Sequence, residues 1–193
     1  TGMPFPDFEP CTPVFLRSLK ERYASRDLIV YEGRRLTYGE AAAQSATLAR
    51  GMLASGISKG SRLGLLMPNS PDFVVAWLAA ARIGAIIIPI NTFYKPKELA
   101  FVLHHADIQV LLTADKLLNN DYLARLETCI PQLLEQPHSA GTSKPLLLRE
   151  FPFLRQIYVW GDSSRTWSRG QQHLWDAADA LDEDYLRAVE DCV

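Results

Sequence analysis

Between Arg62 and Thr113 short apolar runs alternate with longer amphipathic stretches, and this alternation limits the fold more than any other feature. Residues 62–67, 85–90 and 109–113 are apolar runs of strand length. Residues 70–83 and 97–106, between them, repeat their apolar positions at helical spacing. Ser70-Pro71 supplies a cap and a first-turn proline, and Gly84 stands where that helix has to stop. The run Ile86–Ile88 has no polar break, which predicts a strand covered on both faces. Alternating β and α units of this kind predict a three-layer α/β/α domain around a largely parallel sheet.

The flanking segments are read the same way. A Pro-rich stretch over residues 4–13 leads into a helix marked by Val14, Phe15, Leu19 and Tyr23. Asp27 to Tyr38 reads as two short strands around a turn at Glu32-Gly33. Thr37 and Glu40 have the spacing of a capping box, and the helix they open should run to about Ser55. Its buried stripe is Tyr38, Ala41, Ala42, Leu48, Ala49, Met52 and Leu53, with Gly56 at the left-handed exit. Beyond Asp115 the pattern predicts a helix from Tyr122 to Leu134, a loop from Gln136 to Lys144, a strand from Gln156 to Trp160 and an acidic amphipathic helix from Leu174 to Val193. That last helix ends with the chain rather than at a cap or breaker.

Composition excludes several classes of function. A formal charge of −2 without clustered Lys or Arg argues against nucleic acid as a partner. Cys11, Cys129 and Cys192 are odd in number and far apart, which suggests neither a disulfide framework nor a metal site and fits a cytoplasmic location. Val74 to Ile90 is apolar, but Arg82, Gly84 and Pro89 interrupt it, so no transmembrane segment is expected. His104 and His105 are adjacent and cannot chelate one metal as an i, i+4 pair would; they are expected on the surface. Trp77 is expected in the core, whereas Trp160 and Trp167 are candidates to meet a remaining part of the protein.

Four segments in order carry a family resemblance: Leu36 to Glu40 (LTYGE), Gly56 to Phe73 (GISKGSRLGLLMPNSPDF), Trp77 to Asn91 (WLAAARIGAIIIPIN), and Lys97 to Leu103 (KELAFVL) followed by Val110 to Thr113 (VLLT). Over residues 25–115 the chain resembles the opening of the adenylate-forming, AMP-binding superfamily, which includes acyl-CoA synthetases, luciferases and peptide-synthetase adenylation domains. It departs from the pattern at Lys95-Pro96, where a hydroxyl or carboxylate cap would be expected, and from Cys129 to Glu150, where no family motif is found.

The resemblance implies a two-step ligase. A carboxylate attacks the α-phosphate of ATP to give an acyl-adenylate, and a thiol then displaces AMP. The implied substrates are a fatty or other hydrophobic acid, ATP and CoA, with Mg2+ and a lysine offsetting the crowded phosphate charge. The family's phosphate loop, metal-binding carboxylate and mobile lysine are not found. Residues 1–193 are therefore expected to be the N-terminal part of the AMP-binding domain, truncated before the phosphate-binding loop and without the C-terminal domain. By itself such a chain is expected to be inactive, with no catalytic or metal-ligating residue and with no ATP, Mg2+ or CoA bound. An adenylation domain that loads a carrier protein and a non-catalytic binding module remain alternatives, and an exposed former interface could drive a homodimer.

Candidate substrate-binding residues follow from position. Asn69 and the group Asn91, Thr92, Phe93 and Tyr94 come after expected strands, where parallel folds place ligands, and could line the acyl or CoA entrance. The competing reading has Ser70 capping a helix and Phe93 and Tyr94 packing between layers. Two decoys are set aside. Gly51 to Ser58 has Walker spacing, but Ile57 stands where the lysine should be and the run ends a helix. Ser139 to Pro145 lacks a second glycine and a preceding strand, and reads as a surface loop. A dinucleotide-binding domain is disfavoured because no strand leads into GxGxxG.

Overall fold

Thr37 and Glu40 satisfy each other at the start of the longest helix. The Glu40 carboxylate accepts the Thr37 N–H at 2.8 Å, and the Thr37 hydroxyl accepts the Glu40 N–H at 3.2 Å, which completes the expected capping box. The fold is that of a computed structural model, which describes residues 11–136, 144–162 and 164–193. In chain order its elements are helix α1 (Thr12–Tyr23), the hairpin β1 (Asp27–Tyr31) and β2 (Arg34–Thr37), α2 (Tyr38–Ala54), β3 (Arg62–Leu66), α3 (Pro71–Arg82), β4 (Ile86–Pro89), α4 (Pro96–His105) and β5 (Val110–Ala114). A ribbon of β6 (Lys116–Leu117) and β7 (Asn120–Asp121) follows, then α5 (Tyr122–Cys129), β8 (Gln156–Trp160), β9 (Arg169–Gly170), α6 (Gln172–Ala177) and α7 (Glu183–Glu190). The chain divides into two compact units. One holds the chain up to Lys59 with Ser70–Ala85 and Leu174–Val193; the other holds Gly60–Asn69 and Ile86–His173.

In the first unit α2 packs against α1, α3 and α7. Ala41, Ala42, Leu48, Ala49 and Met52 are buried as expected, and Ser45 and Gly51 join them. Gly51 permits a close approach, because a Cβ there would stand 1.7 Å from the Leu174 carbonyl oxygen. Gly56, at φ +83°, provides the left-handed exit after α2. The hairpin turns through Glu32 and Gly33, both at positive φ. The Ser70 hydroxyl accepts the Phe73 N–H at 3.2 Å and caps α3.

Two expectations about this unit are corrected. Trp77 is 38% exposed, with its ring 5.9 Å from that of Phe73, because an apolar helix can still turn one large side chain outward. The tail is not one helix. Leu181 is extended at φ −130°, Arg50 Nη1 donates to the Leu181 carbonyl at 3.0 Å, and the Asp182 carboxylate accepts the Tyr185 N–H at 2.7 Å to begin α7. A carbonyl taken by a distant arginine and an aspartate suited to capping together outweigh helix continuation.

The second unit is built on a five-stranded sheet in the order β4-β3-β5-β8-β9, parallel throughout. The α/β class and the parallel sheet agree with expectation. Leu66, Leu99, Leu103, Leu111, Leu126 and Val159 are among the buried side chains of its core. Each fully buried leucine contributes about 1.5–3 kcal/mol. The run Ile86–Ile88 is not covered on both faces: β4 is an edge strand and Ile86 is 50% exposed. An apolar run signals burial but not the strand's place in the sheet. Trp160 and Trp167 are buried within this unit rather than presented outward, and Trp167 Nε1 donates to Glu127 Oε1 at 3.1 Å. The helix expected to reach Leu134 ends at Cys129, because Ile130 precedes Pro131 and leaves helical geometry at φ −133°, ψ 73°; a 3-10 turn over Pro131–Glu135 follows. Among the described residues no helix is long and apolar enough to cross a membrane.

Candidate functional site at the carboxyl edge of the parallel sheet

The strand order decides where a ligand would sit. From β3 the chain moves to β4 on one side and then returns past β3 to β5 on the other. The connection reverses direction between β3 and β5, and in open parallel sheets that reversal opens a crevice at the carboxyl ends of the strands. The loops there are Met67–Asn69 after β3, Asn91–Lys95 after β4, the segment from Asp115 after β5 and that from Gly161 after β8.

The loop after β4 is held from two sides. The Asn91 side-chain oxygen accepts the Phe93 N–H at 2.9 Å, and the Asn91 carbonyl accepts the Tyr94 N–H at 3.2 Å. This is the local turn that asparagine favours. From α5, Arg125 Nη1 donates to the carbonyls of Thr92 at 2.8 Å and Tyr94 at 2.9 Å, while Nη2 donates to Asn120 Oδ1 at 2.7 Å. The same guanidinium lies 5.3 Å from the Tyr122 ring centroid. The loop closes onto α4, where the Glu98 carboxylate accepts the Lys95 N–H at 2.8 Å, the reverse half of a capping box, while Lys95 offers the helix no side-chain acceptor.

Asp115 ties the ends of β5 and β8 together. Its N–H donates to the Trp160 carbonyl at 3.0 Å, and its carboxylate accepts the N–H of Lys116 at 2.6 Å and of Asp162 at 3.0 Å. Gly161 has φ +116°, and a Cβ there would stand 2.3 Å from the Asp115 carboxyl carbon. Only glycine fits that contact. Beside it lies a cavity of about 140 Å³ lined by Asp115, Lys116, Asp121, Asp162 and Arg165. The carboxylates are already engaged: Asp121 accepts the Ala124 N–H at 2.8 Å and Asp162 the Ser164 N–H at 3.0 Å. Among the described residues no group of three or more His, Cys, Asp and Glu comes together in a way that could hold a metal ion. A second cavity, in the first unit, has a volume of about 390 Å³, and its buried charges are paired: Arg82 and Arg17 both bond Glu190.

Of the residues singled out in the sequence, Asn69 is exposed on the loop after β3, next to the crevice. Asn91, Thr92, Phe93 and Tyr94 lie together on the loop after β4. Phe93 is 76% exposed, while Tyr94 is partly buried against the unit's core. His104 and His105 are exposed on α4, facing Phe151 and Phe101 respectively. The Walker-like run Gly51 to Ser58 covers the last turn of α2 and its exit. Residues 139–143 of the other decoy lie outside the described residues. Arg125 and Asp115 were not singled out. Asp115 carries a usable signal, since it directly follows an apolar strand; Arg125 carries none, because its partners are backbone carbonyls more than 30 residues away.

The chain belongs to the AMP-binding enzyme family, whose model matches residues 16–177. Its relatives include the acyl-CoA ligase sidI of Aspergillus fumigatus, 34% identical over 145 residues, which are 74% of this chain and 23% of the relative. The mitochondrial medium-chain acyl-CoA ligase ACSF2 of Danio rerio is 29% identical over 120 residues, 61% of this chain and 20% of that protein. The chain thus spans about a fifth to a quarter of the length of these relatives. Among solved structures, the anthranilate CoA ligase AuaEII in complex with anthranoyl-AMP superposes with a TM-score of 0.69 at 18% identity, over 93% of this chain and 29% of that one, which shows a shared fold.

Proposed function

We propose that this chain is the N-terminal part of an ATP-dependent, AMP-forming ligase that joins a fatty or other hydrophobic acid to CoA. The observation that carries the reading is the family match across residues 16–177, with acyl-CoA ligases as the named relatives. On this reading the acid's carboxylate oxygen bonds to the α-phosphorus of ATP as pyrophosphate leaves, and the CoA sulfur then bonds to the acyl carbon as AMP leaves. Asn69, Asn91, Thr92, Phe93 and Tyr94 line the entrance for the acid or for CoA. The phosphate loop, metal-binding carboxylate and mobile lysine lie outside residues 1–193, and this chain alone does not turn over. A cytoplasmic location belongs to the same reading and rests on three free, well-separated cysteines; the Danio rerio relative is a mitochondrial protein. So does homodimer formation through apolar surface such as Leu118 and Leu134, which light scattering would contradict by finding only monomer at high concentration.

The test pairs two measurements: pyrophosphate exchange by the product of the complete gene with a panel of acids, and ATP calorimetry on residues 1–193. Exchange that depends on a hydrophobic acid, with no ATP binding by residues 1–193, is the expected result. Tight ATP binding by residues 1–193 would place the phosphate site within them and overturn the assignment. Exchange without any CoA thioester product would point to carrier-protein loading instead.

A further inference from the structure

The loop Asn91–Lys95 has little packing of its own. Asn91, Phe93 and Lys95 are exposed, and only Tyr94 leans on the core. Besides the Tyr94 ring and the Glu98 bond to the Lys95 N–H, what ties it to the rest of the second unit is Arg125. Arg125 satisfies two of its carbonyls, and the same guanidinium reaches Asn120 on β7, just before α5. A planar fork can meet three acceptors in fixed directions, whereas a lysine ammonium on a flexible stem cannot. Arg125 is half-buried and stacked over Tyr122, so it loses little further freedom by holding this geometry.

The fixed loop leaves the Phe93 ring 76% exposed at the carboxyl edge of the sheet. A large ring held outward, on the edge where parallel folds bind ligands, has apolar area to bury on a ligand. Strand β4 is one of the two edge strands, one place removed from the reversal between β3 and β5, so its loop meets an outlying part of the ligand rather than the reacting atoms.

We propose that Arg125 is a positioning residue for the ligase: it holds Asn91–Lys95 so that Phe93 packs on the apolar part of the acid. The proposal rests on the ligase reading above. Because such a contact is made equally in the ground and transition states, its loss raises KM for the acid and leaves kcat nearly unchanged.

The experiment uses the product of the complete gene and the variants Arg125→Gln, Arg125→Lys, Phe93→Ala and the double variant Arg125→Gln with Phe93→Ala. Acid-dependent pyrophosphate exchange is measured with a long and a short aliphatic acid. Each single variant except Arg125→Lys is expected to raise KM for the long acid roughly tenfold, with kcat kept within about twofold. Arg125→Lys recovers only part of the loss. The double variant is no worse than the larger single one, because both act through the same ring. Multiplying effects in the double variant, or a fall in kcat with KM unchanged, would overturn the proposal. An independent readout is hydrogen exchange. In Arg125→Gln the amides of Phe93 and Tyr94 exchange faster while those of Leu111 and Leu112 on β5 do not; unchanged loop amides would overturn the holding role whatever the activity. A wild type without acid-dependent exchange would sink the ligase reading, and the substrate role with it, in a way the amide data tell apart.

Discussion

Arg82 Nε donates to Glu190 Oε1 at 2.6 Å, joining the last residue of α3 to the last residue of α7 across 108 positions of sequence. Both side chains are buried, at 10% and 3% exposure. Burial lowers the Arg82 pKa, and the facing carboxylate opposes that shift. Arg82 Nη1 also donates to the Ala42 carbonyl at 3.0 Å and the Ser45 hydroxyl at 3.1 Å, and Arg17 Nη1 to Glu190 Oε2 at 2.7 Å. Breaking such a pair from one side leaves a buried charge without its counter-ion, at a cost of about 3–5 kcal/mol. Glu190→Leu is therefore expected to lower the urea midpoint sharply. Adding Arg82→Met to it should recover stability, and a double variant less stable than the single one would contradict this account.

Gly51 lets α2 come close to the backbone of Leu174 in the first unit. In an exposed helix interior, Gly→Ala would stabilise by about 1 kcal/mol. Here the added Cβ meets the Leu174 carbonyl at 1.7 Å, and backbone cannot move aside as a flexible side chain can. Gly51→Ala is expected to destabilise by about 1–3 kcal/mol despite the better propensity. Thermal unfolding reads the sign directly, and a raised midpoint would show that α2 and Leu174 do not approach this closely.

Tyr122 is fully buried in the second unit, and its hydroxyl has no hydrogen-bond partner among the described residues. A buried donor left unpaired costs about 1–3 kcal/mol. Tyr122→Phe keeps the ring and its contact with Arg125 while removing that cost, so it should raise stability by about 1 kcal/mol in chemical denaturation. A loss of stability would mean that the hydroxyl is satisfied after all.

Burial pushes the Cys129 thiol up to about 12, from an ordinary value of 9.0. With the folded value raised, its contribution to stability is fully present below about pH 9. It fades as pH rises towards 12, because the unfolded chain loses the proton first. Cys129→Ala should remove that part of the alkaline slope. At pH 8 a thiol reagent is expected to label the exposed Cys192 quickly and the partly buried Cys129 much more slowly; equally fast labelling of the two in the folded chain would contradict the raised thiol pKa.

By itself the sequence determined whatever depends on neighbours a few residues away. The capping box of Thr37 and Glu40, the turn at Glu32-Gly33, the exit at Gly56 and the strands β3, β5 and β8 all follow from local hydrogen bonding and apolar period. The family was legible for the same reason, since its motifs are strings of such local choices. The candidate site was half legible. That Asn91–Tyr94 end a strand is local, but that Arg125 holds them is not, because a guanidinium bound to two distant carbonyls leaves no mark in spacing or composition. Tertiary structure alone decided that the Ile86–Ile88 strand lies at the sheet edge, that Trp77 turns outward while Trp160 and Trp167 turn in, and that the tail breaks at Leu181. Each of these depends on which partner occupies the space beside a residue, and that partner is brought there by the path of the whole chain.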